Sequence, residues 1–141
     1  MKSRQWIIPP LVAVLLAAGC DREEVYPTYD QPGWVETFDG DYNASMTAVL
    51  RLPDNLAPYV AAGDELAAFI GDECRGVGQQ VDGLWYVMLK GTPDEQGMVS
   101  IRYYSAANRY LYRTAEGFEF ESDGVYGTAD NPVTLSLVTQ E

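Results

Sequence analysis

The side chains in this chain that could carry chemistry are carboxylates, tyrosines, two cysteines and an arginine set in an apolar run. There is no histidine among the 141 residues, which removes imidazole triads and histidine-ligated zinc or haem sites from the chain's own repertoire. Twenty-one acidic residues leave two-carboxylate glycoside hydrolysis compatible with composition. These acids fall in turn-like stretches with nothing beside them to raise one pKa, so the reading is a non-enzyme. Calcium is the other chemistry that clustered oxygens offer. Residues 39–43, DGDYN, open like an EF-hand loop, but Ala44 stands where the turn glycine belongs and Leu50 where the bidentate glutamate belongs. A looser, weak calcium site at Asp123, Asp130 and Asn131 is the one cofactor expectation, set against simple turn capping by the same side chains.

Tyr104, Tyr110 and Tyr112 are the candidate ligand-contact aromatics, since exposed rings stack on sugars or protein partners at low entropic cost. The alternative for them is ordinary packing on a sheet surface. Arg75 needs a carboxylate; Asp64, Glu65 and Asp72 are nearby in sequence, and an Arg75–Asp72 pair fixing a hairpin is the expectation. Cys74, between Glu73 and Arg75 with no imidazole to activate it, reads as a small buried residue rather than a nucleophile.

The elements that must position these groups are strands. Residues 63–78, GDELAAFIGDECRGVG, predict a hairpin of strands 66–70 and 74–77 around Gly71-Asp72-Glu73. Further strands are expected at 34–38, 42–52, 84–89, 98–105, 109–114, 117–121 and 133–138, with one helical turn near Leu56 limited by Pro58. Within them Met46, Ala48, Leu50 and Leu52 share a face, as do Trp85, Val87 and Leu89, and Val99, Ile101 and Tyr103. Short strands divided by Gly, Pro, Asp and Asn turns predict one all-β domain over residues 34–141. Its expected form is a single antiparallel β-sandwich of immunoglobulin-like type, with a closed barrel as the alternative.

Residues 1–19 have the three parts of a secretory signal: Lys2 and Arg4, an apolar middle at 11–16, and a small-residue end. The apolar run is far below the ~20 residues of a spanning helix. Residues 20–33 are acidic and broken by Pro27, Pro32 and Gly33, and read as an extended tether. Nine basic residues less Lys2 and Arg4 leave seven against 21 acids, a net charge near −14 after processing. Nucleic acid and anionic lipid surfaces are thereby excluded as electrostatic partners, and the acidity reads as solubility and repulsion from a like-charged cell surface.

The sequence Leu16-Ala17-Ala18-Gly19-Cys20 resembles a bacterial lipobox. That resemblance implies cleavage before Cys20, a diacylglyceryl group on its sulfur and acylation of the new amine, with two or three chains giving stable anchoring. Cys74 is then left without a partner for an intramolecular disulfide. The acids after it, Asp21, Glu23 and Glu24, resemble the export signal of some Gram-negative anaerobes, which implies an outer-membrane lipoprotein facing the cell exterior. A competing rule reads Asp directly after the lipid cysteine as inner-membrane retention. Finally, the segments at 65–69 and 73–76, the strands at 84–89 and 101–105, and GTADNPV at 127–133 are similar to a β-sandwich domain found in surface and secreted proteins of those anaerobes. The likeness spans about residues 46–137. It implies fold and location and no established activity, leaving two expectations. One is a surface module binding a protein or glycan; the other is a structural subunit of an envelope or fibre assembly that pairs by strand edges.

Overall fold

The computed structural model describes residues 25–140, and these form two packed sheets. Sheet A contains β1 (Ala44–Arg51), β4 (Gln79–Val81), β5 (Leu84–Gly91), β9 (Val125–Tyr126) and β10 (Val133–Thr134). Sheet B contains β2 (Glu65–Ile70), β3 (Glu73–Val77), β6 (Met98–Tyr104), β7 (Leu111–Thr114), β8 (Phe118–Glu119) and β11 (Leu137–Thr139). In sheet A, β5 lies between β4 and β1, and β9 and β10 share the far side of β1. Sheet B runs β3-β2-β6-β7-β11, with β8 continuing beside β6 where β7 stops. The fold is an all-β sandwich. Its pairings are antiparallel except for β9 and β10, which run parallel to β1. No helix among the described residues is long and apolar enough to cross a membrane.

Period-2 alternation places the core where the sequence pattern put it. Met46, Ala48 and Leu50 of β1 meet Trp85, Val87 and Leu89 of β5 in sheet A, and these pack on Leu66, Ala68, Val99, Ile101 and Tyr103 of sheet B. Each large side chain so buried contributes about 1.5–3 kcal/mol. Two hairpins follow from turn chemistry. Asp82 and Gly83 both have positive φ (52° and 82°), as a two-residue I′ turn between β4 and β5 requires. Gly71, with φ of 63°, opens the two-residue turn between β2 and β3.

Strand β2 departs from alternation: Leu66, Ala67, Ala68 and Phe69 are all buried. Leu66 and Ala68 face the main core, whereas Ala67 and Phe69 join Cys74 in a second small cluster on the outer side, under Trp34. A near-continuous apolar run is what a strand covered on both faces shows.

The cover comes from residues expected to be tether and first strand. Residues 34–38 form no strand; only one ladder-like bond, Thr37 N–H to the Cys74 carbonyl (2.9 Å), joins them to β3. The part of the 20–33 tether that is described is docked as well. Tyr29 N–H bonds to the Arg109 carbonyl (2.9 Å), and Glu65 accepts from Gly33 N–H (3.0 Å) and Trp34 N–H (2.9 Å). The expected 133–138 strand divides: Val133–Thr134 pairs with β1, Leu135 turns into the core, and Leu137–Thr139 pairs with β7. Strands β4 and β9 leave no mark in the sequence pattern, because at three and two residues they are too short for a periodic signal.

Candidate functional site

Arg75 sits at a β-bulge. Phe69 pairs with Cys74 and Ala68 with Gly76, so Arg75 is the extra residue of β3, and its side chain is turned away from the regular ladder. It is buried and binds Glu73 through Nε (2.6 Å), and Glu95 (2.8 Å) and the Lys90 carbonyl (3.1 Å) through Nη1. The Tyr42 ring lies 4.2 Å from the guanidinium carbon. Arg75 therefore pairs with Glu73 and Glu95, not with Asp72; Asp72 reaches out at the turn and meets Arg102 (3.3 Å). The bulge re-aims Arg75 across the gap between sheets, where only the segment after β5 supplies a second carboxylate. Burial works against its charge, and the bonds to Glu95 and Glu73 outweigh that, so the guanidinium is held above its ordinary pKa. The Arg75 bond in turn holds Glu95 below the usual carboxylate range. A Cβ on Gly76 would collide with the Met88 carbonyl oxygen, so glycine lets β3 pass close to β5. The cluster closes one edge of the sandwich, and each of its charged side chains, Arg75, Glu73 and Glu95, is paired with another.

The tyrosines do not form an exposed ladder. Tyr104 is 4% exposed and donates its hydroxyl to the Tyr29 carbonyl (2.9 Å), because the N-terminal segment covers that face of β6. Tyr112 is half-buried against the core beside Tyr103, with ring centroids 6.2 Å apart. Tyr110 lies between Tyr112 (6.4 Å) and Tyr26 (5.7 Å). Tyr103, burial first and its hydroxyl bond to Asp64 second, has its pKa pushed upward. Asp64 also accepts from Ala61 N–H (3.0 Å) and Ala106 N–H (2.7 Å).

Asp123 occupies a left-handed turn (φ 61°) before β9, and Asp130 and Asn131 lie in the turn after it, where Asn131 N–H bonds to Thr128 Oγ1 (3.1 Å). All three are exposed, and among the described residues no three His, Cys, Asp or Glu side chains gather to hold a metal. Asp39 likewise serves its own turn, accepting from Asp41 N–H (2.9 Å). Cys74 is a free, buried thiol whose pKa burial raises. Cys20, Asp21, Glu23 and Glu24 lie outside the described residues, as does the 1–19 segment.

Two of the larger concavities lie away from these clusters. One, of about 400 Å³, opens where the C-terminal run changes sheets; Glu116, Phe118, Tyr126, Thr134 and Ser136 line it, and the Phe118 and Tyr126 rings stack at 3.9 Å. The second, of about 420 Å³, lies on the outer face of sheet A between Glu36, Thr47, Val77, Gln79, Tyr86 and Met88. Met88 is 55% exposed there, and Val81 and Val125 extend the apolar surface. Neither was visible in the sequence, because each is lined by residues from segments far apart in the chain. Comparison with protein-family models, with curated proteins and with solved structures finds no match.

Proposed function

We propose that this chain is a non-catalytic outer-membrane lipoprotein, anchored through Cys20 and facing the cell exterior, whose sandwich binds a protein or glycan partner. The observation that carries the binding half of this reading is the outer face of sheet A. Its groove combines an aromatic ring (Tyr86), an adaptable thioether (Met88) and an amide (Gln79), the mixture of apolar area and a few polar handles that ligand sites use. The anchoring half rests on the LAAGC resemblance and on Asp21, Glu23 and Glu24. A photo-crosslinking residue at position 88 of the full chain on cells, with a glycan array run in parallel, tests the reading. The expected result is a defined adduct or glycan signal that Met88→Asp abolishes. Empty arrays together with no adduct from folded protein would sink it. Protease shaving of whole cells, comparing wild type with Cys20→Ala and with Asp21, Glu23 and Glu24 neutralised, tests the location.

A second reading, a structural subunit pairing by strand edges, is favoured by β4. All three of its residues are exposed, and among the described residues its outer side has no neighbour in sheet A. Sedimentation at high concentration separates the two, since edge pairing between copies predicts association where partner binding predicts a monomer.

A further inference from the structure

Resting on the reading that Cys20 carries the lipid, we propose that loops 57–62 and 106–110 form the membrane-facing end of the anchored protein and rest in the headgroup zone of the leaflet holding that lipid. Three observations converge on this end. The first is where the leash leaves the fold. Tyr26 already packs on Tyr110, and Tyr29 is held by Arg109 and Tyr104. Six residue steps separate Tyr26 from Cys20, a reach of at most about 20 Å. An eight-residue strand such as β1 alone spans about 27 Å, so the opposite end of the sandwich stays beyond the leash while this contact holds.

The second observation is the chemistry of the two ends. Residues 57–62, APYVAA, carry no charge, and Ala57, Ala61, Ala62 and Tyr59 (64%) are exposed. The neighbouring loop 106–110 adjoins it through Gly63 and Asp64 and contributes Ala107 and Tyr110. Its Arg109 pairs with Asp30 (2.7 Å), Asp64 is bonded to three donors, and the exposed acids at this end are Asp30, Asp54 and Asp82. The far end gathers Asp39, Asp41, Asp72, Asp94, Glu119 and Glu121, all exposed. An anionic headgroup layer repels that end more strongly than the less acidic one.

The third is residue type. Exposed tyrosine flanked by small apolar residues is what partitions into the membrane–water interface, where the ring sits among headgroups and the hydroxyl stays wet. The proposal also sets which end faces outward: the acidic loops and the sheet A groove stand clear of the bilayer.

Hydrogen exchange of the full lipidated protein on phosphatidylethanolamine–phosphatidylglycerol vesicles, compared with Cys20→Ala protein in solution, tests this. Exchange at 57–62 and 106–110 is expected to slow by roughly tenfold, with none at 39–41, 71–73 or 92–97. Tyr59→Asp with Ala62→Asp should erase the slowing while flotation with the vesicles persists. Slowing at the acidic loops, or equal slowing at both ends in protein that floats, overturns the orientation. Protein that does not float and carries no acyl mass overturns the lipid reading on which it stands.

Discussion

Both sheets turn apolar side chains outward, and each covers only some of them: Val49 of sheet A is buried, while Met98 and Val138 of sheet B stay exposed. The largest covered patch is on sheet B, where Ala67, Phe69 and Cys74 of β2 and β3 lie under the protein's own N-terminal segment, with Trp34 edge-on to Phe69 (5.5 Å) and Arg102 4.1 Å above the same ring. The outer face of sheet A carries Val81, Met88 and Val125 and keeps them in solvent. The covering segment has almost no ladder bonds of its own. It holds on by a few specific contacts, above all the Glu65 carboxylate that accepts two successive backbone N–H groups. The lesson is that an outward apolar residue marks a face needing cover but not what covers it.

The cover over β2 and β3 depends most on Phe69. Phe69→Ala should cost about 3–4 kcal/mol in urea unfolding, because the ring is buried under Trp34 and Arg102. A loss as small as that from a surface substitution would mean that the β2–β3 patch is no better covered than the groove face of sheet A. Next in size is the seam joining the sheets. Glu95→Ala should destabilise by about 2–3 kcal/mol, leaving Arg75 with one carboxylate. Because Arg75 holds the Glu95 pKa below its unfolded value, this stabilisation is full above the ordinary carboxylate range and is lost as pH falls through the lower, folded value. Acid titration of unfolding should therefore show a shallower acid limb in Glu95→Gln than in wild type.

Gly76→Ala should cost about 1–3 kcal/mol by pushing β3 away from β5 at the Met88 carbonyl, visible as a lowered urea midpoint. Glu65→Gln weakens the grip on Gly33 and Trp34 by about 1 kcal/mol. Its sharper signature is faster hydrogen exchange across 31–37 with β1 and β5 unchanged. The smallest effect belongs to the bare face: Met88→Ala should change stability by less than about 0.5 kcal/mol. A larger cost there would show that sheet A has a cover too.

The inward faces of β1, β5 and β6 were readable from alternation alone, since Met46, Trp85 and Ile101 sit where a period of two puts them. The turns at Gly71 and at Asp82-Gly83 were readable from residue type, because a left-handed backbone favours those residues there. The same local logic failed for 34–38, which has strand-like residues but docks by side chains. It also failed for Tyr104, whose outward-facing position is buried by a segment some 75 residues earlier.

What the chain determined by itself is the strand periodicity, the hairpin turns, the acidity and the lipobox-like LAAGC, all properties of neighbours along the backbone. The choice of Glu73 and Glu95 over Asp72 for Arg75, the covering of Phe69 and Cys74 by the N-terminal segment and the opening of a groove on sheet A belong to the tertiary structure alone. The physical reason is distance. A single bulged residue re-aims a side chain by several ångströms, and whether a carboxylate or a ring waits there depends on register between segments that no local pattern connects.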